Sequence, residues 1–168
     1  MTKFNLFVMK RYFRAMGFQV GAKGVEFGLS KPFGISRGQK TAAEVLEIVV
    51  QDGNDIGRGE GVPYKRYEDS IELALSQLET LPNSFSRADL IDLLPAGSAR
   101  NALDLALWDL ECKKSGMSIW SAAEIGAHRP LSLGYTVSLS STVAMVQDAK
   151  DHSSSHLLKV KLGGDDDR

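Results

Sequence analysis

The chain has 168 residues, of which 43% are hydrophobic and 24% charged, and its 20 basic and 21 acidic residues give a net charge of −1. This composition is that of a folded globular protein, and the near-neutral charge argues against nucleic acid or a membrane surface as a partner. No apolar run approaches the roughly 20 residues of a transmembrane helix. The single Cys112 excludes an internal disulfide and is ordinary in a reducing compartment, so we expect a cytoplasmic protein.

Residues 1–17 combine apolar and basic side chains and contain no acidic residue. Such a pattern is typical of a targeting peptide, but the segment lacks both the long apolar run and the small-residue cleavage site of a secretory signal. We interpret residues 1–17 as an N-terminal extension.

The next part of the chain has the β-branched residues and turn signals of a small antiparallel meander. Three strands are predicted, at residues 25–29, 44–50 and 56–60. Asp52-Gly53 favours a tight hairpin between the last two strands. Residues 31–38 contain Pro and Gly and are predicted to form the loop between the first two.

Helical patterns follow the predicted strands. Apolar residues recur at spacings of three and four in residues 67–81 and again in residues 98–114. Between these segments, Ser86 and Asp89 have the spacing of a capping box, which predicts the start of another helix. The helices are therefore expected to follow the meander along the chain.

The C-terminal part changes to a strand–helix–strand pattern, with strands at residues 133–139 and 157–162 and a helix at residues 142–151. Two strands joined by a helix are expected to be parallel, with a right-handed crossover. Because two parallel strands do not form a stable sheet alone, we interpret this βαβ unit as the beginning of a larger α/β layer.

Two lysines on the last predicted strand form the first candidate site. Side chains two residues apart share a face of a strand, so Lys159 and Lys161 are expected on the same side. They are either solvated on an exposed face or enclosed in a barrel. Inside a barrel, like-charge repulsion and removal from water would make one of them a usable general base.

Other polar residues are also candidate ligands. Arg37, in the predicted 31–38 loop, is either part of an ordinary surface turn or a carboxylate-binding group, which its planar guanidinium suits. His128, His152 and His156 do not have metal-ligand spacing with one another or with Cys112. The histidines are expected to be solvated, and no metal site is predicted.

Four blocks of this sequence resemble the enolase superfamily, in order and at the expected separations: 31–38 (KPFGISRG), 57–70 (GRGEGVPYKRYEDS), 94–111 (LPAGSARNALDLALWDLE) and 157–163 (LLKVKLG). They are most similar to the dipeptide epimerases that act on L-Ala-D/L-Glu. The resemblance implies an α+β capping domain at residues 18–126, made of the meander and the helices. It also implies the start of an incomplete TIM-type barrel at residues 127–168.

The resemblance also implies roles for four residues. Members of this family move the proton on the carbon next to a carboxylate, with Mg²⁺ stabilising the enolate. Lys161 would be one catalytic base, and Lys159 would assist it and help to hold the substrate carboxylate. Thr136 would contact the substrate, and Arg37 would meet its glutamate side chain. The partner would be a small dipeptide. A homo-oligomer is also possible, because two or more copies could cover the open sheet edges of an incomplete barrel by exchange.

The family carries its metal ligands and its opposing lysine on later barrel strands, and the sequence ends after the second. We therefore expect this polypeptide to be truncated and inactive by itself, with the Mg²⁺ ligands outside it. Two alternatives stay open. One is another reaction of the superfamily, of the muconate cycloisomerase or o-succinylbenzoate synthase type, and the other is a non-catalytic capping-domain remnant.

Overall fold

The structure, a computed structural model, describes residues 11–15, 17–36, 38–126 and 128–163. Its strands are β1 (Arg11–Ala15), β2 (Phe18–Ile35), β3 (Gly38–Asp52), β4 (Asp55–Gly61), β5 (Gly134–Val137) and β6 (Leu157–Val160). Its α-helices are α1 (Ile71–Glu79), α2 (Leu90–Leu93), α3 (Ser98–Ser115), α4 (Ile119–Ala122) and α5 (Thr142–Asp151). Two 3₁₀ turns, Lys65–Tyr67 and Arg87–Asp89, precede α1 and α2.

These elements form two compact units. The first contains the described residues of 1–27 and 44–127, and the second contains those of 28–43 and 128–168. We call residues 28–36 and 38–43, at the β2–β3 turn, the hairpin tip. The hairpin tip therefore belongs to the same unit as β5, α5 and β6, although the sequence separates them by about a hundred residues.

The first sheet has the strand order β1-β2-β3-β4. Strand β4 pairs antiparallel with β3 through a two-residue turn, with Asp52 opposite Asp55. Gly53 begins that turn with a φ of 59°, the left-handed conformation that the first residue of a type II′ hairpin requires. The predicted meander and its hairpin at Asp52-Gly53 are confirmed.

Two features of this sheet differ from the sequence-based expectation. Strand β1 lies within the segment interpreted as an extension and pairs with residues 18–22 of β2. The prediction of a loop across residues 31–38 was wrong, because residues 31–35 continue β2 and residue 38 begins β3. Pairing between two long neighbouring strands satisfies their backbone groups and outweighs the local turn preference of Gly and Pro.

Helix α3 packs directly against β4. Glycines occupy alternate positions of the strand, and all three face the helix: Gly57, Gly59 and Gly61. The helix presents residues one turn apart to them: Ser98, Ala102, Ala106 and Leu110. A methyl group on Gly59 would overlap the backbone of Ala102 and Ala106. The two backbones can approach each other because these three positions of β4 carry no side chain.

The core of the first unit lies between its sheet and helices. Its largest fully buried side chains come from β2, β3, α1, α2 and α3: Val20, Leu46, Ile48, Val50, Leu78, Leu90 and Leu103. Burying each such side chain contributes about 1.5–3 kcal/mol. The buried side chains of β3, α1 and α3 come from the apolar positions on which the predictions of a strand at residues 44–50 and of the helices rested.

The helix ends follow the local sequence signals. Ser86 and Asp89 form the predicted capping box, with the Ser86 amide donating to Asp89 Oδ2 at 2.7 Å. Helix α3 ends at Ser115 and is capped by Gly116, whose φ of 68° is left-handed. No helix within the described ranges has both the length and the apolar character needed to cross a membrane.

In the second unit, β5 and β6 pair in parallel, and α5 connects them. Ser141 caps α5 by accepting a hydrogen bond from the Ala144 amide at 3.4 Å. The bounds of α5 are those predicted, and the parallel βαβ unit is confirmed. The meander with its helices, followed by a first βαβ unit, is the predicted fold class.

The contact between β4 and α3 gives a stability prediction. Gly59→Ala is expected to lower the free energy of unfolding by about 3 kcal/mol, because the clash is with backbone atoms that no rotamer change can move. Urea denaturation followed by circular dichroism measures this. In the control Gly28→Ala, the new methyl group meets nothing within 4 Å, so a change below about 0.5 kcal/mol is expected. Equal losses in both variants would contradict this account.

Candidate functional site

Three of the residues singled out in the sequence lie on one face of the β5–β6 pair. Thr136 and Lys159 are register partners, so their side chains project to the same side. Lys161 follows two residues later, and its amide donates to the Val137 carbonyl at 3.0 Å, which continues the ladder beyond β6. We call Thr136, Lys159 and Lys161 the lysine face. Lys159 is exposed and Lys161 half-buried.

The opposite face of the pair is covered by α5. The Tyr135 hydroxyl donates to Asp148 Oδ1 on α5 at 2.9 Å. The Tyr135 ring stacks on His152, with a centroid separation of 3.6 Å and an interplanar angle of 7°. Since neighbouring side chains on a strand alternate, the lysine face is turned away from α5. In a barrel of βαβ units the helices lie outside, so this face would point inward if the strand pair were part of such a barrel.

The hairpin tip contacts the segments that follow β5 and β6. The Leu139 amide, just after β5, donates to the Gly34 carbonyl at 3.1 Å. A side chain on Gly34 would collide with the Leu139 backbone, and one on Gly163 would collide with Ser36. Gly163 follows Lys161 by two residues. The described end of β2 therefore lies at the carboxyl ends of both parallel strands.

A charged cluster holds the hairpin tip on the α5 side. Lys31 Nζ lies 2.6 Å from Asp148 Oδ1 and also contacts the Tyr135 hydroxyl. The hydrogen bond from Lys31, supported by the one from Tyr135, holds the pKa of Asp148 below its usual range. Asp148 in turn raises the pKa of Lys31.

His152 was expected to be solvated, and the structure corrects this for its ring. The residue is half-buried, stacks on Tyr135, and places Nδ1 2.9 Å from the Asp148 carbonyl oxygen. Its spacing of four from Asp148 brings it to the same side of α5. The sequence alone does not show that Tyr135 on β5 faces this side of α5, so the contact could not be predicted from it.

Arg37, the fourth residue singled out, lies outside the described residues. Its described neighbour Ser36 contacts Gly163 in the second unit. The sequence analysis missed Lys31 and Asp148. Lys31 lies in the 31–38 block but was given no role, and no motif or spacing pointed to Asp148. Their separation of 117 residues explains why no local pattern pairs them.

Magnesium requires several oxygen ligands. Across residues 11–15, 17–36, 38–126 and 128–163, no group of three or more His, Cys, Asp or Glu side chains could hold a metal ion. The described residues therefore do not fit the Mg²⁺ that the resemblance implied.

A cavity of about 790 Å³ in the first unit is lined by Trp108, Asp109, Glu47 and Arg58 among others. Arg58 Nη1 lies 3.7 Å from Glu47 Oε1, and Asp109 accepts a 2.7 Å hydrogen bond from Lys113. These charged side chains are therefore paired with one another. The lysine face brings together three of the residues that the sequence singled out, and we take it as the candidate site.

Comparisons with known proteins agree with this fold. Residues 20–122 match the family model of the mandelate racemase / muconate lactonizing enzyme N-terminal domain. An N-acetyl-D-glutamate racemase from Pseudoalteromonas is 37% identical over 130 residues, which cover 73% of this chain and 40% of that protein. The L-Ala-D/L-Glu epimerase of Escherichia coli K12 is 34% identical over 140 residues, covering 80% of this chain and 44% of the epimerase.

Solved structures give the same result. An enolase family member from Agrobacterium tumefaciens with homology to dipeptide epimerases, with bound sodium and L-Ala-L-Glu, has a TM-score of 0.84 at 35% identity and covers 90% of this chain. A dipeptide epimerase from Cytophaga hutchinsonii, complexed with Mg and D-Ala-L-Val, shares the fold at a TM-score of 0.74 and 23% identity, covering 86% of this chain. This chain covers 48% and 44% of those two chains. It thus spans less than half the length of each relative.

The charged cluster gives a prediction about titration. Because the folded-state pKa of Asp148 is lowered, its ionised form stabilises the fold above the unfolded pKa of about 3.9, and that contribution is lost as the pH falls through the folded pKa. Lys31→Met is expected to raise the Asp148 pKa toward its usual value, measured by NMR titration of the side-chain carboxyl carbon. Lys150→Met, a neutralised lysine on the same helix, should leave the Asp148 titration where it is. An Asp148 that titrates identically in wild type and Lys31→Met would disprove the assignment.

Proposed function

Because the chain belongs to the mandelate racemase / muconate lactonizing enzyme family, we propose that it is part of an isomerase that inverts the α-carbon of N-acylated glutamate, as in L-Ala-D/L-Glu dipeptides. The observation that carries this proposal is the lysine face. Two ammonium groups and a hydroxyl share one side of a parallel strand pair, turned away from the covering helix, and the hairpin tip lies at the carboxyl ends of the same strands. Ligands of α/β folds bind at that end of the strands.

The resemblance to the dipeptide epimerases supports the following roles, which the chemistry of these side chains permits. Lys161, in its uncharged form, takes the α-proton and returns it as an ammonium. Negative charge then builds up on the substrate carboxylate, and the Lys159 ammonium on the same face stabilises it. The Thr136 hydroxyl, beside Lys159, donates a hydrogen bond to the substrate. Inversion requires a second proton donor on the other side of the carbanion, and we assign Lys161 to one side only.

Arg37 is assigned to the glutamate side chain of the substrate. Its guanidinium can donate two parallel hydrogen bonds to one carboxylate. Ser36, the residue before it, lies against Gly163 at the end of the lysine strand. That contact supports a substrate held between the hairpin tip and the lysine face.

The relatives narrow the substrate class. One is named for N-acetyl-D-glutamate and another for L-Ala-D/L-Glu, and both names describe a glutamate whose amino group is acylated. We therefore propose the acylated glutamate unit as the recognised part and treat the acyl group as variable.

The substrate assignment can be tested by binding. Titrating L-Ala-L-Glu into the ¹⁵N-labelled chain is expected to shift the amide signals of Thr136, Lys159 and Lys161. L-Ala-L-Gln, which has the same shape but no side-chain carboxylate, should bind about ten-fold more weakly, because it loses a charge-assisted pair. Arg37→Met should abolish that preference, whereas Arg58→Met, an exposed arginine of the first unit, should keep it. Equal affinity for both dipeptides in the wild type would refute the role of Arg37.

The catalytic assignment is tested by exchange of the glutamate α-proton in D₂O with Mg²⁺ present, followed by ¹H NMR. Variants are introduced at the native locus, so that the assayed polypeptide has the length that the cell makes. Lys161→Ala is expected to slow exchange by about 10²–10⁴-fold, the usual contribution of a general base.

Lys150→Ala, a change at an exposed lysine of α5, should stay within about two-fold of wild type. Exchange that persists at the wild-type rate in Lys161→Ala would remove that residue from the mechanism.

A further inference from the structure

We propose that Asp148 is a positioning residue: together with Tyr135 it holds Lys31, and through Lys31 it keeps the hairpin tip docked at the carboxyl ends of β5 and β6, beside the lysine face. The consequence for substrate rests on the proposed function. The docking itself does not, because it concerns only contacts within the second unit.

Three contacts succeed one another along the hairpin tip. Lys31 meets Asp148 and Tyr135, Gly34 accepts a hydrogen bond from the Leu139 amide, and Ser36 lies against Gly163. The last two are a single backbone hydrogen bond and a close packing contact that needs glycine. Only the Lys31 contact involves a charged pair, so it is the one that a single substitution can remove without creating a clash.

Asp148 is suited to this role by its surroundings. It accepts hydrogen bonds from both the Lys31 ammonium and the Tyr135 hydroxyl, and its side chain is 22% exposed. Tyr135 is fixed from the other side by stacking on His152. One carboxylate therefore joins α5, β5 and the hairpin tip. An amide at this position keeps the shape but loses the charge that pairs with Lys31.

The expected effect is moderate because Lys31 is about half exposed, with 48% of its side chain accessible. Removing an ion pair of this exposure changes an equilibrium by up to about five-fold. Asp148→Asn should therefore shift the balance from the docked toward the undocked tip by about that factor. If only the docked tip completes the site, the apparent affinity for substrate falls by the same factor at most.

The docking is tested first, without substrate, by amide hydrogen exchange on the 168-residue chain. The Leu139 amide, whose partner is the Gly34 carbonyl, is expected to exchange up to about five-fold faster in Asp148→Asn and in Lys31→Met. Amides of the β3–β4 ladder should be unchanged. Asp151→Asn is the matched control, since it removes the same charge from the same helix, at a carboxylate that accepts a 2.7 Å hydrogen bond from Gln147.

The reversed pair Lys31→Asp with Asp148→Lys supplies a rescue. Restored protection at Leu139 in this double variant supports the ion pair, because a merely structural defect at either position would add rather than cancel. Unchanged exchange at Leu139 in Asp148→Asn overturns the proposal, whatever the activity.

The second arm uses L-Ala-L-Glu turnover by the native-locus protein. Asp148→Asn is expected to raise KM by up to about five-fold and leave kcat unchanged, with Asp151→Asn at wild-type values. An unchanged KM alongside faster Leu139 exchange would overturn the positioning role for substrate. A wild-type protein that shows no turnover and no binding overturns the proposed function and the substrate consequence together, while the exchange arm still decides whether Asp148 holds the tip.

Discussion

The close approach of β4 to α3 is the constraint on which the first unit depends. Gly57, Gly59 and Gly61 leave one face of the strand bare, and the helix backbone occupies the space. Interiors of proteins are packed at crystal-like density, so a bare strand face is stable only if another backbone fills it. Three of the four helix residues that face the glycines are small, namely Ser98, Ala102 and Ala106. The leucines of the helix pack into the core. Sheet and helix are thereby fixed as one layer pair.

In the second unit, the parallel orientation of the strands determines the arrangement of the candidate site. Parallel pairing puts the carboxyl ends of β5 and β6 side by side, and the alternation of side chains separates an α5-facing side from the lysine face. The strand register alone therefore places Lys159 and Lys161 on the same side as Thr136. The hairpin tip reaches this same end through Gly34, where only a glycine permits the backbone contact with Leu139.

Sequence reasoning succeeded where the signal was local. The capping box at Ser86 and the bounds of α5 follow from spacings within a few residues, and the parallel βαβ unit follows from three consecutive elements. Each is confirmed. It failed where pairing between distant segments decides the outcome. The Gly and Pro residues of 31–35 predict a turn, yet partnering with β3 keeps them in a strand. Lys31 and Asp148 are 117 residues apart, so only the folded chain brings their charges together. The glycines of β4 were visible as part of a family block, but their packing role was not.

If the lysine face binds the proposed substrate, the strength of the hairpin-tip contacts suits a site that admits and releases its ligand. A buried, fully satisfied network would hold the tip closed and slow exchange of substrate, whereas an exposed ion pair contributes only about 0–1 kcal/mol. Lys31 and Asp148 are accessible enough for water to compete for their hydrogen bonds. The backbone hydrogen bond between Gly34 and Leu139 orients the tip but contributes little to the free energy of docking. The tip is thus biased toward the lysine face rather than locked against it. A substrate carboxylate that bridges the tip and the lysines would add the interaction that completes closure, so the affinity of the site and the order of the tip should rise together.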